Sequence, residues 1–140
     1  MYRKDYIMRM VEDFGRLLNE IIHLRKESKL TEAEKKISAA GEVYFTFSFE
    51  EVLNFPDDGL REELISKKKL HPQQIRMLAE IFFQKGWIFL DKNENLKINY
   101  FKRSLTLFKM FLELEPSLFD VEVIQRLSIL HDLCSSTGLN

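Results

Sequence analysis

The 140 residues include one cysteine, three prolines, five glycines and one tryptophan. Each scarcity removes a class of protein. Cys134 has no intramolecular partner for a disulfide, so the fold draws nothing from an oxidising compartment and a cytoplasmic setting is expected. So little Gly and Pro argues against collagen-like, low-complexity and turn-rich β-sandwich chains. No stretch reaches the ~18 uninterrupted apolar residues of a membrane span. Arg9, Glu12, Asp13 and Arg16 interrupt the start where a secretory leader would carry its apolar block. No Asn-x-Ser/Thr acceptor suggests secretion, so no membrane partner is expected. An excess of basic charge is missing too: 21 Lys plus Arg stand against 22 Asp plus Glu, a net of -1, which speaks against a nucleic-acid partner.

What is present is 45% apolar and 31% charged residues with 12 phenylalanines. That composition suits one folded helical domain over residues 1–140, with 135–140 as a frayed tail. Ile7, Met10, Val11, Phe14, Leu17, Leu18, Ile21, Ile22 and Leu24 recur at three- and four-residue steps and predict a helix from Lys4 to Glu27. Within it, Ile7, Val11, Phe14, Leu18 and Ile21 form a short heptad seam suited to another helix or a second copy of the chain. Thr31 and Glu34 have capping-box spacing and predict a helix to about Tyr44. Phe45, Phe47 and Phe49 alternate as in a strand. Ser48 and Glu51 form a second capping box, however, and a lone strand lacks a pairing partner, so a short helix over Phe49–Asn54 is expected.

Pro56-Asp57-Asp58-Gly59 marks a turn before a helix from about Gly59 to Lys68 with Leu60, Leu64 and Ile65 inward. His71-Pro72 opens a helix running to about Leu90 that is apolar over more than half its circumference, and so is expected to be buried on two sides. After a polar break at 91–95, Leu96–Glu113 again carries apolar residues on two faces. The last helix, about Leu118 to Cys134, is expected to turn Leu118, Val121, Ile124, Leu127, Leu130 and Leu133 inward. The expected fold is therefore all-α, an antiparallel helical array of six to seven helices.

Residues 72–116 form its centre, and within them Leu78–Leu114 resembles a tetratricopeptide repeat. The matching positions are Ala79-Glu80, Phe82, Gly86, Phe89, Tyr100-Phe101, Ser104 and the terminating Pro116. Lys97 stands where that family has a small residue. The stretch Asp5-Tyr6-Ile7-Met8-Arg9-Met10-Val11-Glu12 is similar to the opening of an uncharacterised bacterial family of all-helical proteins, a domain of unknown function with tetratricopeptide-like helical pairs. That resemblance implies a bacterial cytoplasmic protein and supplies no catalytic residue.

The chemistry-bearing patterns are few. There is no Gly-rich phosphate loop, Gly-x-Ser-x-Gly elbow, His-Glu-x-x-His or Cys-x-x-Cys. Glu20-x-x-His23 has the spacing of a di-iron half-site, but it occurs once where such bundles need it twice, so a solvated pair is expected. His131 and Cys134 lie one helical turn apart, and packing explains a lone cysteine beside an apolar stripe. No catalytic residue, metal or cofactor is implied.

Charge is blockwise. Residues 44–66 carry a net of -5 and residues 67–112 a net of +7. If the two do not neutralise each other, the basic face suits an acidic peptide. These patterns point to a non-enzymatic protein-interaction or scaffold domain with a helical groove or an exposed aromatic face. Phe45, Phe47, Phe49, Lys97, Tyr100, Lys102 and Arg103 are the candidate partner-binding residues. The partner is a protein or peptide, with a homodimer the simplest version. The alternative is a small-molecule sensor with an aromatic-lined pocket.

Overall fold

A computed structural model describes residues 4–89, 94–116 and 120–136. Helix α1 (Lys4–Lys26) buries Ile7, Met10, Phe14 and Ile21. It ends where Ser28 takes a left-handed φ of 63°. There Lys29 N–H donates to the Leu24 carbonyl at 2.8 Å and Ser28 N–H to that of Arg25 at 3.0 Å, the paired bonds of a Schellman turn. This turn passes the chain directly into α2 (Leu30–Tyr44), whose first helical bond is accepted by the Lys29 carbonyl. Thr31 therefore lies inside the first turn, and the expected Thr31–Glu34 box does not form because Lys29 occupies the cap position without a side-chain bond.

Phe45 is extended (φ -137°, ψ 155°), and no strand occurs among the described residues. α3 (Phe49–Asn54) starts as its capping residue predicts: Ser48 Oγ accepts the Glu51 N–H at 3.3 Å. A 3₁₀ turn over Asp57–Gly59 follows, then a π-helical segment over Glu62–Lys67 in place of the expected α-helix. Lys68 N–H donates to the Glu63 carbonyl and Leu70 N–H to that of Leu64, each at 3.0 Å. Leu60 and Leu64 still point inward, because over six residues a four-residue apolar spacing fits either coil.

α4 (Pro72–Ile88) is capped by His71, whose Nδ1 accepts the Gln73 N–H at 3.1 Å while Gln74 Oε1 accepts the His71 N–H at 2.9 Å. Its next neighbour in the array is α5 (Glu94–Leu114), and these two make the most extensive helix pair. Between them Gly86 matters: a Cβ there would lie 2.4 Å from the Phe101 ring. The Phe101 ring in turn packs on Phe83 and Trp87, with ring centres 6.1 and 5.4 Å away.

α1 packs on α2 and α4, α2 also on α4, α3 on α5, and α6 (Val121–Ser136) on α5. The architecture is thus the expected all-α array, with α4 buried on two sides. The helix end at Leu90, the start of the 91–95 break, Leu118 and most of the tail lie outside the described residues.

The stripe on α6 differs from expectation. Val123 and Leu130 are buried, whereas Val121 and Ile124 are 53% and 44% exposed. Residues three apart lag by about 60° per step around an α-helix, so the expected six-residue series winds off the inner face. Asp120 accepts the Val123 N–H at 3.2 Å and so caps this helix.

Candidate functional site

The principal concavity lies where α2, the 45–48 link, α3, α4 and the start of α5 meet. It consists of two adjoining depressions of about 500 Å³ each, which share Ser38, Glu50 and Lys85. One is walled by Phe45, Phe47 and Phe49. The other is walled by Ile37, Leu53, Phe89, Leu96 and Tyr100. The aromatic residues form a chain from this wall into the core. Phe45 meets Phe49 edge-on at 5.9 Å, Phe49 meets Phe82 at 6.1 Å, Phe82 meets Tyr100 at 5.7 Å, and Phe89 stacks on Tyr100 at 5.6 Å.

Lys85 sits at the junction. Its Nζ is 5.1 Å from the Tyr100 ring centre and 5.7 Å from that of Phe49. Burial pushes the amine below the ordinary lysine range, opposed by Glu50 and then Glu34. An aromatic face returns on the order of 1–2 kcal/mol to a partly desolvated ammonium, less than the several kcal/mol that lost hydration can cost an ion. The Tyr100 hydroxyl is pushed up to about 12 by the same burial and by the same two carboxylates. It therefore stays protonated at neutral pH. Glu34, Glu42 and Glu50 around the concavity outnumber Lys85, so its lining is acidic in balance.

The structure gathers Phe45, Phe47, Phe49 and Tyr100 around this concavity. Phe45, Phe49 and Tyr100 are buried, as is Arg103, while Phe47 and Lys97 are half-buried and Lys102 is exposed. Phe45 and Phe49 pack on each other, and Phe49 continues onto Phe82 of α4. Arg103 clamps the α3–π-segment link to α5: it donates to the Phe55 carbonyl and pairs with Asp57 at 3.3 Å. Desolvation lowers its pKa, and Asp57 partly restores it.

The charge blocks meet each other in part. Lys67 pairs with Glu63 at 2.7 Å, Lys68 with Glu51 at 3.1 Å and Arg103 with Asp57, so three basic residues of the +7 block are held by acids of the -5 block. Arg76 turns the other way, to Asp120 at 2.9 Å and Glu122 at 3.0 Å. Lys102 and Lys109 remain exposed on α5 and form no ion pair among the described residues.

A second polar cluster lies along α4. Arg126 Nε donates to both carboxylate oxygens of buried Glu80, at 3.2 and 3.1 Å, and Arg25 Nε donates to Gln84 Oε1 at 2.9 Å. Burial raises the Glu80 carboxyl, and Arg126 opposes the rise. This cluster borders a smaller cleft of about 160 Å³ against Val11, Phe14 and Leu18 of α1. Sequence reading missed it. The signal was Gln73, Arg76, Glu80 and Gln84 at helical spacing within an otherwise apolar helix.

The remaining candidates are ordinary. Glu20 pairs with Lys36 at 3.0 Å and His23 lies 3.3 Å from Glu27, all four on the surface. His131 is exposed and Cys134 half-buried, its thiol pushed up by burial. Among the described residues no group of three or more His, Cys, Asp or Glu is placed to hold a metal ion. No helix there is long and apolar enough to cross a membrane. No known family model, curated protein or solved structure matches the chain.

Proposed function

We propose that the protein is a non-catalytic interaction domain that receives a segment of a polypeptide partner in the concavity around Lys85. The observation that carries this reading is the geometry of that concavity: two adjoining depressions, walled by aromatic and aliphatic side chains from three helices and the links beside them, that meet at one cation. An apolar cleft edged by a few polar groups suits a short bound segment. The exposed aromatic face loses weight as a binding surface, since Phe45 and Phe49 are spent on the core. The ion pairs of Lys67, Lys68 and Arg103 likewise weaken the case for an acidic peptide. Glu34, Glu42 and Glu50 favour a segment bearing apolar and basic side chains. A single cysteine in the sequence favours a cytoplasmic setting, and the likeness to bacterial all-helical proteins is compatible with such an adaptor. A small ligand is the second reading, favoured by the size and apolar walls of the depression lined by Leu53, Phe89 and Leu96.

Affinity capture of the tagged chain from its own cells tests the first reading when done with variants. Phe47→Asp and Glu50→Lys alter the concavity, whereas Ile129→Ser alters α6, outside it. The proposal expects specific partners to be lost with the first two and kept with the third. Recovery of the untagged chain itself would identify the partner as a second copy. Partners retained by both concavity variants would overturn the assignment.

A further inference from the structure

α4 carries Lys85 to the point where the two depressions meet, and several observations set its amine apart. Nζ faces two aromatic rings, at 5.1 and 5.7 Å, and makes no hydrogen bond or ion pair among the described residues. Its neighbours Gln84 and Gly86 are buried, so the helix fixes where the side chain starts. Ile37, Leu53, Phe89 and Leu96 form an apolar wall beside it, bounding a space of about 500 Å³. The titratable groups that face it are Glu34 from α2, Glu50 from α3 and Tyr100 from α5. A lysine desolvated among apolar and aromatic side chains is a nucleophile, because a larger share of it is neutral at a given pH.

We propose that Lys85 is a covalent capture site for small apolar aldehydes. The carbonyl carbon meets Nζ at the junction, and the hydrocarbon body lies against Ile37, Leu53, Phe89 and Leu96. The lone pair of the neutral amine forms the C–N bond as the carbonyl π bond breaks, and the proton that nitrogen sheds passes to the former carbonyl oxygen. The carbinolamine then takes up from solvent the proton that the ammonium had released, its oxygen leaves as water, and the nitrogen lone pair closes the C=N bond. One water leaves and nothing is oxidised or reduced. The protonated imine keeps its positive charge beside Glu34 and Glu50, where the ammonium was. Capture needs no polypeptide, so it stands apart from the partner reading and is measured without one.

The test uses the full chain with benzaldehyde or formaldehyde at pH 7, trapping by cyanoborohydride and peptide mapping by mass spectrometry. With benzaldehyde, the Lys85 adduct is expected to form several-fold faster than those at exposed Lys102 and Lys109, because burial leaves more of it as free base and the apolar wall holds the ring beside it. The ratio should shrink with formaldehyde, which has no body to place in the depression. It should also narrow as the pH rises toward the ordinary lysine range, where exposed amines lose their protons as well. Lys85→Met should abolish the fast adduct and leave the others unchanged; the ratio within the wild-type chain decides the matter even if that variant does not fold. Labelling of Lys85 no faster than Lys102, or an equal ratio for both aldehydes, would overturn the proposal.

Discussion

At Gly86 the structure allows no side-chain carbon. The atoms an added methyl would meet belong to the Phe101 ring, three of them within 2.8 Å, and that ring is held by Phe83 and Trp87. Gly86→Ala gains about 1 kcal/mol of helix propensity but forces a buried ring to move, at a cost of about 1–3 kcal/mol. A net destabilisation in urea unfolding is expected, relieved by adding Phe101→Leu. Gly15, in the middle of α1, has open space within 4 Å of its Cβ position. Gly15→Ala is therefore expected to stabilise by up to about 1 kcal/mol. If both changes acted in the same direction, the packing of α4 on α5 described here would be wrong. The close approach at Gly86 was legible in the sequence, since a lone glycine stands there within a long apolar helical run. Its partner was not, because nothing in the order of residues says which ring of α5 fills the gap.

Among the elements, α4 depends most on its first turn. His71 caps it through an unprotonated Nδ1, and burial holds the imidazole pKa below its ordinary 6.5, with Glu115 opposing. Since the folded-state pKa is the lower, the unfolded chain takes up the proton first as pH falls. The cap's stabilisation is present above about pH 6.5 and is lost below it, as the pH falls toward the folded value. Urea unfolding should show a decrease on the order of 1 kcal/mol, which His71→Asn, able to cap without titrating near pH 6, removes. A variant with the same pH profile as the native chain would contradict the cap. Helix starts that rest on one local residue, Ser48 and His71, were readable from the sequence. The Thr31 box was not formed, because Ser28 adopts a left-handed conformation and lets α1 turn straight into α2. The rotation of α6 was hidden for a different reason. Glu122 and Arg126 reach across to Arg76 and Glu80, which turns Val121 and Ile124 outward. Such a rotation depends on pairs 46 residues apart.

At the scale of the molecule, a net charge of -1 conceals two opposed blocks that three ion pairs link among the described residues. The all-α array follows from amphipathic stripes that each need a neighbour. α4, apolar over more than half its circumference, becomes the helix on which α1, α2 and α5 assemble. The concavity is a product of that assembly: Glu34, Glu50, Lys85 and Tyr100 come from four different helices, so no local spacing could disclose it. Only its aromatic wall was foreshadowed, by Phe45, Phe47, Phe49 and Tyr100. The central claim is that this concavity is where a partner segment lies. The most direct measurement places a photo-crosslinking amino acid at position 47, at its edge, or at position 129, on α6, and irradiates cells that make the protein naturally. Covalent adducts with a polypeptide at position 47 and none at position 129 are expected. Adducts at 129 alone, or at neither position, would contradict the claim.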